Sequence, residues 1–424
     1  MQNFERYHEA VSFLEGLSNL PIEGDYMVKR DRLDVYLKKM RRFLARLGNP
    51  DKDIKFIHIT GTAGKGSVTN MIHEILNILG KNVGSFTSPF VTTSLEKIKV
   101  KDLYISPDEF ADIVEYLKPH IDEEYQHSPY GRPSYFELFL AIALVYFKRK
   151  KCEWVVLEVG CGGRYDATNV IENPIITAIT NIDYDHMHIL GNTLREIAYD
   201  KAGIIKKGSL FFTTEKRKPL LKIFTDVCNE SKVPLSAVSI PGDYQMQNIA
   251  LVRAITEKLD INHKYIEYGI NKARLQCRFE VMQQEPLVVL DGAHNRAKIR
   301  STIENLKNLK FRKLHLVIGM ADNKDGNSML EQIIPIADSV AVTRFQIKDR
   351  KCAHPKRLFV EVRRYLRKDV PVSLTLDPEI ALKRAMARAR KNDLVLVTGS
   401  FFLVGELRKI WFSEDVILRA RKSF

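Results

Sequence analysis

Short apolar runs alternate along the chain with longer stretches in which apolar positions recur at helical spacing. Residues 1 to about 50 carry the longer pattern and end in the turn-like LGNPDKD. The run IKFIHIT (54–60) then reads as a strand feeding a glycine-rich turn, and Met71, Ile75, Leu76 and Leu79 fall on one face of the helix that follows. KNVGSFTSPF predicts a second strand ending in a proline-marked loop, and SYFELFLAIALVYFKRK an apolar helix. WVVLEVG and IITAITNI predict two buried strands, and GDYQMQNIALVRAITEKL a capped helix. After NKARLQCRFEV a second series begins: LVVLDGAHN, KLHLVIGM, SVAVTRF, VSLTL and DLVLVTGS, with helices between. Apolar strands alternating with helices predict an α/β fold of doubly wound parallel sheets, whose ligands sit at the carboxyl ends of the strands. Gly61 to Ser67, Ser88, Glu158 and His186 all lie at such ends.

A length of 424 residues exceeds what one core usually holds, and the restart of strands near residue 279 predicts two domains. The start, MQNFERYHEAVSFLEGL, has no basic flank before an apolar run, so it does not read as a signal peptide. No apolar stretch reaches the ~18 residues of a membrane span. Five scattered cysteines without a C-x-x-C pair fit a reducing compartment, and the cytoplasm is the expected location. The net charge of +14 raises nucleic acid or an anionic substrate as a partner. However, the basic residues are spread along the chain. Their densest stretch, KDRKCAHPKRLFVEVRRYLRK (348–368), has apolar positions at helical spacing; it reads as a solvated helix face, with a polyanion-binding surface as the alternative.

The turn GTAGKGS differs from the usual G-x-x-x-x-G-K-[ST] loop, because Gly66 follows Lys65 and the hydroxyl of Ser67 comes one place late. Its glycines still let backbone N–H groups approach an oxyanion at the start of a helix, with Lys65 within reach of outer phosphates. Glu158, at a buried strand end, is costly unless a cation or hydrogen bonds offset its desolvation. With Ser88 and His186 it makes a hard-cation set of the kind that leaves Mg²⁺ some water. Lys201 in YDKAGIIKKG lies among small and apolar residues, and spacing alone favours an amine that snorkels to solvent over one with a depressed pKa. Asn248, Arg274 and Arg278, near the expected linker, and Asp291 and His294 in LDGAHN read as surface polar groups or as ligand contacts at a domain cleft.

Eight segments in order carry a resemblance: HITGTAGKGSV, FTSPF, PSYFE, LEVGCGGRYDATNVI, DHMHILGNTLREIAYDKAGIIKKG, GDYQMQNIA, VVLDGAHN and LVTGSFFLVGELR. Together they resemble the folylpolyglutamate synthase and dihydrofolate synthase family of the Mur ligase superfamily, over nearly the whole chain. The resemblance implies a P-loop doubly wound parallel-sheet ATPase domain over 1–273, a linker over 274–278, and a smaller Rossmann-like α/β domain over 279–424. It implies an ATP-dependent amide ligase that phosphorylates a folate carboxylate and lets the amine of L-glutamate attack the acyl phosphate. Tetrahydrofolate is the implied acceptor, with dihydropteroate as a second. By position, Thr62, Gly64, Lys65, Gly66, Ser67, Asn248, Arg278 and Asp291 would bind ATP. Ser88, Glu158 and His186 would ligate magnesium, and a carbamylated Lys201 would help bind a second Mg²⁺. Lys65, Lys201 and His294 would be catalytic, while Ser134, Tyr135, Phe136, Glu137, Tyr165, Asp166 and Ala167 would line the pteridine site. A monomer without nucleic-acid or membrane partners is implied.

The sequence departs from the family pattern in places. Ala63 stands where Asn is usual, QCRFE replaces a Pro-Gly-Arg linker, and no proline follows Asn295. These departures leave two alternatives: another Mur-type amino-acid ligase with a different acceptor, or a nucleotide-binding protein without turnover.

Overall fold

The apolar run after Ile54 forms strand β1 (Lys55–Thr60), whose residues from Phe56 onward are all buried, as the continuous hydrophobic pattern requires. The computed structural model describes residues 4–17, 34–238, 240–242, 244–322, 326–347 and 351–423. The chain divides into two units, Met1–Pro89 with Ser94–Arg274, and Phe90–Thr93 with Leu275–Phe424. The expected helical start is present as Glu5–Gly16 and Asp34–Arg46, while residues 18–33 of that stretch lie outside the described residues.

In the first unit β1 is joined by β2 (Val83–Phe86), β3 (Ile98–Val100), β4 (Leu103–Tyr104), β5 (Trp154–Glu158), β6 (Ile176–Ile179), β7 (Leu210–Thr213) and β8 (Leu235–Ala237). Their order is β4-β3-β2-β5-β1-β6-β7-β8. The run from β2 to β8 is parallel, and β3 and β4 add an antiparallel edge. Ile57 and Ile59 of β1 share a core with Met71, Ile75 and Leu76 of the helix Lys65–Ile78, and Leu79 packs against it. The apolar helix runs Tyr135–Arg149. The helix expected farther along the chain is Tyr244–Glu257, although Asp243, at its expected cap, lies outside the described residues.

The second unit contains β9 (Glu280–Gln284), β10 (Leu287–Leu290), β11 (Leu314–Ile318), β12 (Ser339–Val342), β13 (Val372–Leu374) and β14 (Leu394–Thr398), in the order β13-β12-β11-β14-β10-β9. All pairings are parallel except β9 with β10. Alternate residues feed two cores: Val289 packs with Leu316 and Val340 on one face, and Val288 and Leu290 with Val395 and Val397 on the other. Two-sided burial explains why these strands read as near-continuous apolar runs.

The basic stretch forms the helix Pro355–Tyr365 with Leu358 and Val362 buried, and residues 348–350 lie outside the described residues. The entry to the second unit is fixed by charge. Arg408, fully buried, donates from Nε and Nη2 to the two carboxylate oxygens of Glu280 at 2.9 and 2.8 Å. The same carboxylate accepts the Cys277 amide at 2.7 Å, holding a turn in which Cys277 and Phe279 are both left-handed. Removing one partner of such a pair strands the other charge. Arg408→Ala should therefore lower unfolding free energy by roughly 3–5 kcal/mol in urea titrations, and a loss below about 0.5 kcal/mol, the level of an ordinary surface change, would contradict this role.

Candidate active site

Strand β1 ends at Thr60, and the backbone then turns through glycines that nothing larger could replace. A Cβ on Gly61 would stand 1.9 Å from Thr180 Oγ1, and one on Gly64, at φ +83°, would stand 2.4 Å from Asn248 Oδ1. The loop is held from outside: the Thr62 and Ala63 amides donate to the backbone and side-chain oxygens of Asn181 at 3.0 and 2.8 Å. Thr180 donates to the Ala63 carbonyl at 2.5 Å. Both backbone groups of Ala63 are thus engaged without help from its side chain. The first intrahelical bond runs from the Val68 amide to the Gly64 carbonyl, which leaves the amides of Lys65, Gly66 and Ser67 at the open helix start, where an anion is favoured.

Two cations converge on this loop. The ammonium groups of Lys65 and Lys201 each donate to the Gly61 carbonyl at 3.1 Å. Lys201 is 4% exposed, so the snorkelling expected from spacing does not occur; its stem runs inward and its amine ends beside the loop. Burial and the nearby charge of Lys65 push the Lys201 amine down to about 8, against the pull of Cys161, Asp200 and Asp185. Asp200 is half-buried, its Oδ1 has no hydrogen-bond partner among the described residues, and desolvation pushes its carboxyl up despite Lys201. Glu158, at the end of β5, accepts the Ser88 amide at 3.0 Å. Glu158 is buried, and a Cβ on Gly66 would stand 3.5 Å from its Oε2, which puts this carboxylate directly beside the loop.

His186 is left-handed at φ +50°, and its ring lies 3.8 Å from Asp185 Oδ1. Among the described residues no three His, Cys, Asp or Glu side chains form a metal group. The expected set draws on a hydroxyl and a lysine besides Glu158 and His186. Its hard oxygen donors, the Glu158 carboxylate among them, fit a magnesium-type ion.

The segments expected to meet a pteridine divide into support and surface. Ser134 and Glu137 form a capping box at the start of the helix Tyr135–Arg149, and Glu137 also pairs with Lys39 at 2.9 Å. Asp166 is buried, accepting from the Cys161 and Thr168 amides at 2.9 Å each and from the Thr168 hydroxyl at 2.6 Å. Phe136 packs edge-on against Phe86, while Tyr135 and Tyr165 are half-buried and Ala167 is buried. The buried ammonium of Lys97, absent from the sequence reading, lies 4.5 Å from the Tyr135 ring centroid.

In the second unit, Asp291 follows β10 and accepts from the Ala293 amide at 2.9 Å and the Thr302 hydroxyl at 3.1 Å. Burial raises its carboxyl to about 6, with Arg278 pulling the other way. The Arg278 guanidinium stacks 4.8 Å from the Phe401 ring centroid. His294 Nδ1 donates to the Gly292 carbonyl at 2.7 Å, which leaves Nε2 to accept from Lys298 at 3.0 Å. Arg274 is exposed and donates to the Asn271 carbonyl at 2.7 Å.

Residues 59–272 match the Mur ligase middle domain and residues 277–401 the Mur ligase glutamate ligase domain. The dihydrofolate synthase/folylpolyglutamate synthase of Bacillus subtilis is 33% identical over 96% of this chain and 99% of its own length. The chain belongs to the folylpolyglutamate synthase/dihydrofolate synthase family of Mur ligases. Among solved structures of this family, the Thermotoga maritima folylpolyglutamate synthase is 29% identical with a TM-score of 0.80, covering 97% of both chains. The bifunctional Yersinia pestis enzyme complexed with AMPPNP and Mn ion is 25% identical with a TM-score of 0.79, covering 95% of this chain and 97% of that one.

This ligase-family site includes residues that sequence reasoning passed over. Asn181, in ITNI, braces the loop, and Asp200 stands immediately before Lys201; a charged residue next to KAGII was the available signal. The low Lys201 pKa has a thermodynamic consequence. Between pH about 8 and 10.5 the unfolded chain binds this proton and the folded one does not, so stability rises with pH across that window. Below about pH 8 the full cost is present. Lys201→Met should therefore raise stability at pH 7 by about 1–3 kcal/mol and flatten the alkaline rise, as measured by denaturant titration; an unchanged slope would contradict the buried amine.

Proposed function

We propose that this chain joins L-glutamate to folate as an ATP-dependent amide ligase, and that dihydropteroate is a second acceptor. The observation that carries the reading is the Lys65 ammonium 3.1 Å from a loop carbonyl, beside open helix-start amides, with the buried Lys201 amine on the same carbonyl and the Glu158 carboxylate next to Gly66. Such a site suits transferable phosphate: Lys65 would reach the outer phosphates and Ser67 stands in the first turn of the helix, while Asn248 closes on Gly64. A folate carboxylate takes the terminal phosphoryl group, with loss of ADP, and the glutamate amine then attacks the acyl carbon and displaces phosphate. Lys65 offsets charge that grows on the phosphoryl oxygens in both steps.

The Yersinia pestis complex supports use of a divalent cation with the nucleotide. Here Ser88, Glu158 and His186 would hold magnesium, which supplies charge neutralisation on phosphate oxygens. A second ion would need the carbamate of Lys201. Only the neutral amine adds CO₂, and lowering the Lys201 pKa from 10.5 to about 8 raises the neutral share near neutral pH from a trace to a minor but usable fraction. Tyr135, Phe136, Tyr165 and Ala167 make the pteridine surface, whereas Ser134, Glu137 and Asp166 position its backbone. By the family resemblance, Arg278, Asp291 and His294 would be the second unit's contacts to nucleotide or to the forming amide.

Phosphate release should require ATP, magnesium, glutamate and tetrahydrofolate together, with dihydropteroate able to replace the folate. Release that ignores the acceptor or glutamate would overturn the ligase assignment, and release driven only by another acid would move it to a different acceptor. Lys65→Ala and Glu158→Ala should each reduce turnover by roughly 10²-fold or more, the scale of losing one charge-stabilising group; near-normal rates in either would remove that residue from the site. Lys201→Ala should be inactive and regain part of its turnover with added acetate, and failure of rescue in a folded variant would count against the carbamate.

A further inference from the structure

The second unit carries a cavity of about 510 Å³ at the edge of its sheet opposite Asp291. Asp291 follows the carboxyl end of β10, whereas the cavity is built where strands begin. Arg312 and Lys313 immediately precede β11, Arg367 and Lys368 lead into β13, and Arg388 and Arg390 lead into β14. Because β11, β12, β13 and β14 are parallel, these loops share one edge. The usual ligand position of an α/β sheet is the other edge.

The cations there are largely uncommitted. Asp338 is taken by the Leu314 amide at 2.8 Å and by Arg367 at 3.1 Å. Asp393, almost fully buried, accepts from the Arg390 amide at 2.9 Å and lies 3.4 Å from both Arg312 Nε and His315 Nε2. His315 is fixed on its other nitrogen by Ser339 at 2.8 Å, which makes a rigid floor. Asp369 is the third lining carboxylate, against six cations. The side chains of Lys313, Lys368, Arg388 and Arg390 have no hydrogen bond or ion pair within the described residues. Like charges gathered in one concavity repel one another unless an anion joins them.

We infer that this cavity binds a small non-aromatic polyanion, bearing clustered phosphates or carboxylates, at a site separate from the ligase centre. The volume is that of a small-molecule site rather than a macromolecular groove. No Phe, Tyr or Trp ring lines it, so it offers no platform to stack a nucleobase or pteridine, and recognition falls on charge and on guanidinium forks. Arg367 and Lys368 end the basic stretch whose two readings the sequence left open. The assignment does not rest on the ligase reading.

The test is calorimetric titration of the full chain, held in saturating AMPPNP and magnesium so that the loop at Lys65 is filled. Inorganic tripolyphosphate is the first probe and a synthetic oligo-γ-glutamate the second. At least one should bind, weaken with salt, and lose tenfold or more in affinity in Lys368→Glu/Arg388→Glu. Both substituted residues are exposed, so folding and phosphate-release turnover should be unchanged, and Lys264→Glu in the first unit should bind as wild type. The tighter probe identifies phosphate or carboxylate as the source. Absence of binding by both, or binding that the double variant retains, overturns the site. Tighter binding of a duplex oligonucleotide, lost in the same variant, would overturn the small-anion assignment in favour of nucleic acid.

Discussion

Two ammonium groups share one backbone carbonyl, and much of the first unit serves to make that arrangement tolerable. Lys201 is buried, and desolvation first, then unscreened repulsion from Lys65, brings its amine down to about 8. The parallel strands around β1 fix the Gly61 carbonyl, while Thr180, Asn181 and Asn248 leave the loop no other path. Partial relief comes from Asp200, a carboxylate that is itself desolvated and incompletely hydrogen-bonded. On the proposed function, a phosphate arriving at the loop would meet Lys65 and the helix-start amides already in place, so little reorganisation would accompany the reaction.

The second unit divides its chemistry between the two ends of one sheet. At the carboxyl end of β10, Asp291 is held by Ala293 and Thr302, and His294 is oriented by a backbone carbonyl. At the opposite edge, Asp393 and His315 support a ring of arginines and lysines. The same parallel topology produces both ends, since every strand contributes one loop to each. The overall charge of +14 is therefore not merely a solvated surface; part of it is gathered in one cavity.

The strands that carry the site were legible because both of their faces are buried. β1, β5, β10, β11 and β14 spell almost unbroken apolar runs, and the glycine turn announced itself by spacing. Most strands missed from sequence lack that signature: β3 and β4 are short, β8 is only half-buried, and β9, EVMQQ, alternates weakly on an edge, whereas β7, LFFT, is buried and apolar but only four residues long. Nor could sequence place Phe90–Thr93 in the second unit, where the Val91 carbonyl packs against Gly405 across a long stretch of chain. Lys201 shows the same limit in the site. Its neighbours in sequence suggested an amine reaching solvent, but its environment is set by Gly61 and Lys65, far away along the chain.

The most direct measurement is the titration of Lys201 in CO₂-free buffer, followed by NMR of side-chain-labelled lysine with and without a nucleotide. The expected result is an amine titrating near pH 8 in the free protein, and higher once phosphate supplies the missing negative charge. An amine that titrates near its ordinary 10.5 and does not respond to nucleotide would contradict the paired, buried cations at the loop.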